Sequence, residues 1–232
     1  MRLQMLDELN RARRNREAVV LMSRLDGGMQ HLYRRDDGEG GTAMPAEHRA
    51  LAGQALQSGE SRVVAAGDGD WFLHVFAPPP RLVVVGAVHI SQALVPLAEA
   101  CGYEVTVIDP RRAFATADRF PGARLSTEWP DRALADLKPD ARTAIVTLTH
   151  DPKLDEPALA IALRSPAFYI GALGSARTQA ARRERLLALG FAAQEQERIH
   201  GPIGIGIGAR TPAEIALSIM AQLTMVRYGR GS

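Results

Sequence analysis

The chain has little of what would place it in several classes of protein. Its 232 residues include one cysteine, Cys101, so no disulfide can form within the chain and a reducing compartment is indicated. No apolar run approaches the roughly 18 residues of a membrane span, and the first residues lack the apolar core of a signal peptide. We therefore expect a cytoplasmic protein without a membrane partner.

An excess of charge of one sign is also lacking. The chain has 28 basic and 26 acidic residues and a formal net charge of +2. A nucleic-acid surface needs basic residues concentrated on one face, so we expect no nucleic-acid partner. An apolar fraction of 46% and a charged fraction of 23% are ordinary for a globular protein.

Three consecutive prolines, Pro78 to Pro80, divide the chain. Proline has no N–H for a sheet and favours an extended connector. We predict a small α+β segment over residues 1–77 and a second domain over residues 78–232. The elements expected in the first segment are helices Leu3–Arg16 and Pro45–Gln57, strands Ala18–Arg24, Met29–Arg34, Arg62–Ala66 and Trp71–Phe76, and a polar loop, Asp36–Gly41.

Short β-branched runs alternate with helical patterns after the prolines. This order indicates parallel strands joined by right-handed crossovers. We predict an α/β domain with a Rossmann-like, mostly parallel sheet and helices on both faces. The expected strands are Leu82–Val85, Glu104–Ile108, Ala123–Ser126, Ala144–Leu148, Phe168–Ala172 and Arg198–His200, and the expected helices are His89–Cys101, Asp131–Leu137, Leu154–Arg164, Ser175–Leu189 and Thr211–Tyr228.

Three histidines follow predicted strands: His89, His150 and His200. In one parallel sheet their imidazoles would emerge at the carboxyl edge, where open α/β sheets bind ligands. Imidazole suits acid–base chemistry or contact with an anion, and capping of loops is the structural alternative. Asp151 and Asp155 near His150 could add metal ligands, but the spacing matches no ligand motif, so we predict no metal.

The first strand-to-helix turn, Gly86 to Ser91, resembles the dinucleotide fingerprint G-x-G-x-x-G in part. Gly86 can make the tight turn, and Ser91 is nearly small enough for the third glycine's place. Val88 replaces the middle glycine, whose role is to let pyrophosphate approach the backbone. The fold is therefore better indicated than a bound nucleotide.

Asp109 ends the second strand, 23 residues after Gly86, where an acid would bind a ribose. NAD(P) is therefore an open possibility. The alternative is that Asp109 forms an ion pair with Arg111 or Arg112.

A second glycine loop contains Gly204, Gly206 and Gly208 and precedes a capping box formed by Thr211 and Glu214. Exposed amides and a helix start would suit an anionic ligand. Alternatively, the capping box satisfies these amides and the glycines allow close packing.

A third loop, Gly174-Ser175, can cap a helix whose first turn carries Arg177. Cys101 is expected to be a small buried residue. The last helix is apolar nearly all round, which predicts burial or a homo-oligomer. The basic residues after Arg177 are expected to form a solvated face: Arg182, Arg183 and Arg185.

Taken together, these motifs resemble the carboxyl-terminal Rossmann domain of the xanthine dehydrogenase accessory (XdhC/CoxI) family. The resemblance covers about Pro79 to Arg227. Its residues are Gly86-Ala-Val-His-Ile, Val107-Ile-Asp-Pro-Arg111, Arg119-Phe-Pro121, Thr149-His-Asp151 with Asp155, Tyr169-Ile-Gly-Ala-Leu-Gly-Ser175 with Arg177, His200-Gly-Pro-Ile-Gly204, and Ile207-Gly-Ala-Arg-Thr-Pro-Ala-Glu-Ile-Ala-Leu-Ser-Ile219.

The resemblance implies an accessory protein rather than an enzyme. It would bind molybdenum cofactor, support its sulfuration by a cysteine desulfurase, and deliver it to a molybdenum hydroxylase apoenzyme. The residues expected to bind the cofactor are Gly86, His89, Ser91, Asp109, Arg111, His150, Asp151, Gly174, Ser175, Arg177, Gly204, Gly206, Gly208 and Thr211.

The chain departs from the family pattern in two places. The family's first loop is usually Gly-Ala-Gly-His, whereas Val88 stands here. The family's amino-terminal domain, with its cysteine motif, is not recognisable in residues 1–77, so a companion chain carrying that half is expected. An NAD(P)-dependent oxidoreductase and an interaction module with a vestigial pocket are the alternatives.

Overall fold

The computed structural model describes residues 3–34 and 44–229, so the expected loop Asp36–Gly41 lies outside the described residues. The chain divides into two compact units, Met1–Pro78 and Pro79–Ser232. The division falls within the proline run.

The amino-terminal unit contains a four-stranded antiparallel sheet of order β2-β1-β4-β3. Both expected strand pairs form, and β1 joins them by pairing with β4. Its elements are α1 (Leu3–Arg14), β1 (Val19–Arg24), β2 (Gln30–Arg34), α2 (Ala46–Ser58), β3 (Arg62–Ala66) and β4 (Gly69–Phe76).

The two faces of this sheet are covered by different helices, because successive residues of a strand point to opposite faces. Val20 and Met22 pack with Trp71 and with residues of α2. Val19 and Leu21 pack with residues of α1. The expected α+β segment is confirmed.

The second unit contains a six-stranded sheet of order β10-β9-β8-β5-β6-β7, and every pairing is parallel. Its strands are β5 (Arg81–Val85), β6 (Glu104–Ile108), β7 (Arg124–Ser126), β8 (Thr143–Thr147), β9 (Tyr169–Ala172) and β10 (Ile199–His200). Its helices are α3 (His89–Ala100), α4 (Pro130–Leu137), α5 (Pro152–Arg164), α6 (Ala176–Ala188), α7 (Ala193–Gln196) and α8 (Pro212–Arg227).

Helices cover both faces of this sheet. Leu82 and Val84 pack with residues of α3 and α8, whereas Val83 and Val85 pack with residues of α4, α5 and α6. Because β5 is buried on both faces, its run of apolar residues is continuous rather than alternating. The predicted Rossmann-like α/β fold is confirmed.

The strand order reverses at β5. The chain proceeds from β5 to β6 and β7 on one side, and returns to β8, β9 and β10 on the other. Val85 at the end of β5 lies beside Thr147 at the end of β8. The helices that leave these two strands diverge to opposite faces, which opens a crevice at the carboxyl edge. We call this place the switch point.

The sequence prediction differs from the structure at a few places. The short helix Ala193–Gln196 was not expected, and Cys101 is exposed at the end of α3 rather than buried. No helix in residues 3–34 or 44–229 is long and apolar enough to cross a membrane.

Candidate functional site

The loop after β5 turns sharply at Gly86. Its φ of +111° is a left-handed conformation, and a Cβ there would lie 2.6 Å from Thr149 Cγ2. Glycine is therefore required on both grounds. The turn is held close to the loop that follows β8, so the two sides of the switch point contact each other.

Helix α3 begins at the switch point without a side-chain cap. Val88 is its N-cap residue, is extended at φ −97°, and makes no side-chain cap hydrogen bond. His89 begins the helix and is exposed. The first N–H groups of a helix have no partner within it, so this start offers free donors and partial positive charge to an anion.

Ser91 does not face the crevice. It is fully buried, and its hydroxyl donates a hydrogen bond to the Gly86 carbonyl. The prediction that Ser91 serves close packing of helix and strand fits this contact, whereas direct contact with a ligand does not.

His150 lies on the opposite side of the switch point, in the loop after β8. It has a left-handed φ of +65° and is exposed. Thr149 donates its hydroxyl to Asp155 Oδ1 at 2.6 Å and accepts the Asp151 N–H at 3.0 Å. Asp151 in turn caps α5 by accepting the Lys153 N–H at 2.9 Å. Local side-chain contacts thus fix the backbone that presents His150.

Asp109 is buried and committed to the protein. Its carboxylate accepts hydrogen bonds from the Ala87 N–H at 2.8 Å, from the Arg111 N–H at 3.0 Å, and from Arg111 Nε and Nη2 at 2.9 and 2.7 Å. Burial alone would raise the pKa of Asp109, but the hydrogen bonds from Arg111 and Ala87 outweigh it and hold the pKa below its usual value. The ion-pair alternative describes this residue better than ribose binding.

Arg111 lies beside the switch point, in the loop after β6, where it binds Asp109. Its side chain is 43% exposed although it binds Asp109. The hydrogen bond to Asp109 raises the pKa of Arg111, and the charges of Asp151 and Asp155 raise it further. These carboxylates belong to the loop and helix after β8, so Arg111 adds a positive charge near that side of the crevice.

A buried polar network that the sequence did not reveal lies behind the β8 loop. Arg182 is 4% exposed and Asp155 is 1% exposed, with Arg182 Nη2 lying 3.5 Å from Asp155 Oδ2. Arg182 also donates to Gln179 Oε1 and to the Leu173 carbonyl. Burial raises the pKa of Asp155, against the hydrogen bond from Thr149 and the charge of Arg182.

The expectation of a solvated basic face is therefore wrong for Arg182. Arg183 is exposed, and Arg185 pairs with Glu156. The missed signal was helical spacing, since Gln179 and Arg182 share a face of α6 with the buried Leu186.

The loop after β9 is closed by its own residues. Gly174 has φ +136°, and a Cβ there would lie 2.8 Å from Thr178 Cγ2. Ser175 caps α6 by accepting the Thr178 N–H at 3.3 Å. Arg177 is exposed in the first turn of α6.

The start of α8 is closed by its capping box. Glu214 Oε2 accepts the N–H groups of Arg210 and Thr211 at 2.8 and 2.9 Å. Thr211 Oγ1 accepts the Glu214 N–H at 3.3 Å. The sequence left two alternatives for this loop: free amides that bind an anion, or amides already bound by the capping box. The structure shows the second for the amides of Arg210, Thr211 and Glu214.

The glycines of the loop before α8 differ in their surroundings. Gly204 has φ +91°, and a Cβ there would overlap Ser218 Oγ. Its N–H donates to Gln222 Oε1 at 2.8 Å. Gly206 and Gly208 are exposed and face open space, so close packing explains Gly204 and not these two.

His200 does not join the rim. It ends the edge strand β10, and its ring stacks on Tyr169 with centroids 4.8 Å apart and planes 10° apart. Burial lowers the pKa of His200. His89 and His150 follow adjacent strands, β5 and β8, and are exposed. His200 also ends a parallel strand of this sheet, but its half-buried ring lies against Tyr169.

The structure thus gathers Gly86, His89, Arg111 and His150 around the switch point. No group of three His, Cys, Asp or Glu side chains able to hold a metal lies within residues 3–34 and 44–229. The groups around the switch point are suited to binding an anion, through the N–H groups at the start of α3, two imidazoles and a guanidinium.

Several known proteins resemble this chain. A family model described as the XdhC Rossmann domain matches residues 82–223. A probable xanthine dehydrogenase subunit of Bacillus subtilis is 33% identical over 157 residues, which are 67% of this chain and 46% of that protein. The molybdenum cofactor insertion chaperone PaoD of Escherichia coli is 34% identical over 152 residues, 66% of this chain and 42% of that protein.

The matched regions make up less than half of either curated relative. Among solved structures, a xanthine dehydrogenase from Bacillus halodurans superposes with a TM-score of 0.69 at 23% identity. The superposition covers 99% of this chain and 65% of that one. It establishes a shared fold that includes the amino-terminal unit.

Proposed function

Because the chain belongs to the XdhC family, we propose that it is an accessory protein in the maturation of molybdenum hydroxylases. In this role it holds molybdenum cofactor, or a related phosphorylated ligand, at the switch point. The names of the Bacillus subtilis and Escherichia coli relatives support this proposal. The observation that supports it most is the uncapped start of α3, where His89 is the first helical residue, beside the loop after β8 that carries His150.

The residues at the switch point fit a phosphorylated pterin. The N–H groups at the start of α3 would receive the phosphate, as helix starts commonly do. His89, His150 and Arg111 would contact the phosphate or the polar edge of the pterin. The cofactor supplies redox chemistry to the hydroxylase that receives it, while this chain binds, orients and releases it.

The partners follow from this role. A hydroxylase apoenzyme would receive the cofactor, and a cysteine desulfurase would supply sulfur to it. A companion chain that takes part in cofactor handling is a third proposed partner. The exposed Leu217 and Met225 of α8 would then suit a contact between chains, with a second copy or with that companion.

A nicotinamide-dependent oxidoreductase is less well supported. Such an enzyme would need the Asp109 carboxylate to accept hydrogen bonds from ribose, but Arg111 and Ala87 already bind both of its oxygens. We expect that millimolar NAD(H) leaves the melting temperature unchanged. A rise that Asp109→Ala abolishes would favour the oxidoreductase instead.

Anaerobic titration with isolated molybdenum cofactor tests the proposal. We expect the wild-type chain to bind and His89→Ala to bind about tenfold more weakly, since a hydrogen bond to a charged group contributes about 1.5–3 kcal/mol. His74→Ala, which removes an exposed imidazole from the amino-terminal unit, is the matched control. Absence of binding by the wild-type chain, alone and with its companion chain, would refute the proposal.

A further inference from the structure

The amino-terminal unit contains a second group of imidazoles, formed by His31, His48, Asp68 and Trp71; we call it the His–Trp cluster. His31 lies opposite Met22 in the sheet, on the face that α2 covers. The rings of His31 and His48 contact the Trp71 indole, with centroids 5.5 and 4.5 Å away. The two imidazole centroids are 6.0 Å apart.

Asp68 orients His48. His48 is 2% exposed, and its Nε2 lies 2.9 Å from Asp68 Oδ1. Trp71 Nε1 donates to the same oxygen at 2.9 Å. The oxygen is thus an acceptor, which places a proton on His48 Nε2. In the neutral imidazole the lone pair is then on Nδ1. A carboxylate that accepts from one ring nitrogen is the usual support of a histidine whose other nitrogen binds a metal.

One nitrogen in each of the two rings is buried and makes no hydrogen bond to the described residues. His48 Nδ1 and His31 Nε2 have no hydrogen-bond partner within residues 3–34 and 44–229. Leaving a buried polar atom without a partner is unfavourable, because its lost hydration is not replaced. A metal ion that binds both His31 Nε2 and His48 Nδ1 would satisfy the two atoms together.

We propose that His31 Nε2 and His48 Nδ1 bind one divalent transition-metal ion, with zinc as the type, and that Asp68 positions His48 for it. With bonds of about 2.1 Å from each nitrogen and a tetrahedral angle at the ion, two ring centres would lie about 5.3 Å apart. The observed separation is 6.0 Å, so the rings would move closer by about 0.7 Å when an ion binds. Imidazole is a preferred ligand of zinc, copper and nickel.

The cluster lies close to the surface of the unit. The Asp68 side chain is 42% exposed, so the group lies at the surface end of the helix-covered face. Two imidazoles are fewer than the three protein ligands of a catalytic zinc site. Water or an added ligand would complete the coordination, and we expect affinity in the micromolar range rather than that of a structural zinc site.

Zinc titration of the full chain tests this site. The background is Cys101→Ser with Trp129→Phe, which removes the exposed thiol and makes Trp71 the fluorescent reporter. We expect one zinc ion per chain and a change in Trp71 emission. His31→Ala and His48→Ala should each weaken binding at least about tenfold, and Asp68→Asn should weaken it about 10–100-fold, the usual effect of losing a group that orients a ligand.

His74→Ala is the matched control, because the His74 ring contacts Phe76 on the opposite face of the same sheet. It should bind zinc as the background does. The proposal would be overturned if His31→Ala and His48→Ala bound zinc as tightly as the background does. If either variant fails to fold, X-ray absorption of the zinc-loaded background decides: two imidazole ligands support the site, whereas no bound zinc or no imidazole ligand overturns it.

Discussion

The starts of helices α3 and α8 differ in whether a side chain caps them, and their glycine content suggests the opposite of what the structure shows. The start of α8 follows the loop richest in glycine, but Thr211 and Glu214 already bind its amides. The start of α3 follows a loop that lacks the middle glycine of a nucleotide motif, and no side chain caps it. Glycine content therefore does not distinguish the two helix starts; the presence or absence of a side-chain cap does.

The largest effect expected from breaking this arrangement comes from the buried network behind the β8 loop. Asp155→Ala leaves the Arg182 charge buried without its partner, so we expect a loss of about 3–5 kcal/mol in the free energy of unfolding. Urea denaturation measures it. Asp151→Ala, which removes only a helix cap, should cost about 1 kcal/mol. Equal losses would contradict the assignment of charge burial to Asp155.

Gly204→Ala distinguishes packing from binding in the last loop. Its positive φ and its overlap with Ser218 predict a loss of about 1–3 kcal/mol. Gly206→Ala faces open space and should stay within about 0.5 kcal/mol of wild type. Thermal denaturation of the two variants checks the difference. A destabilised Gly206→Ala with an unaffected Gly204→Ala would reverse the interpretation.

Val88→Asp would close the start of α3 in the way that α8 is already closed. The new carboxylate would accept the free N–H groups and repel an anion, an effect of up to about 2 kcal/mol near a helix start. We expect cofactor binding to weaken about tenfold or more, measured by anaerobic titration. Arg210→Asp, at the capped start of α8, should leave binding unchanged; comparable weakening there would place the phosphate at α8.

Thr211→Ala opens the capping box without touching the switch point. The lost cap should lower the free energy of unfolding by about 1 kcal/mol. Cofactor affinity should not change, because these amides lie at the start of a different helix. Chemical denaturation and titration of the same preparation measure both quantities, and a parallel loss of affinity would contradict the comparison.

Acid unfolding reports the smallest effect, through Asp109. Its pKa is lowered in the folded state, so its contribution to stability is present above its unfolded-state pKa and is lost as the pH falls through the folded-state pKa. Arg111→Leu removes hydrogen bonds that lower this pKa, so the acid transition should move to higher pH. Arg112→Leu, a change at the exposed neighbour, should leave it in place.

The sequence predicted the fold well because the strands of the second unit are short β-branched runs separated by helical patterns. Buried strands such as β5 are continuous in apolar residues, and the proline run separates them from the amino-terminal unit. Helix α7 was missed since four residues are too few to show a helical period.

The arrangement at the switch point was predicted only in part. The sequence indicated that His89 and His150 follow strands of one parallel sheet, and the structure has them after β5 and β8. Whether an amide or carboxylate is already bound depends on contacts between distant residues, such as Asp155 with Arg182. Such contacts are set by tertiary packing, and local sequence patterns do not contain them.

The short edge strands of the second unit's sheet limit how another chain can bind to that sheet. The second unit's sheet ends in β10, with two residues, and β7, with three. So little unpaired backbone gives another chain almost no template for extending the sheet. A partner of this unit is therefore expected to contact its loops and helix surfaces rather than to extend its sheet.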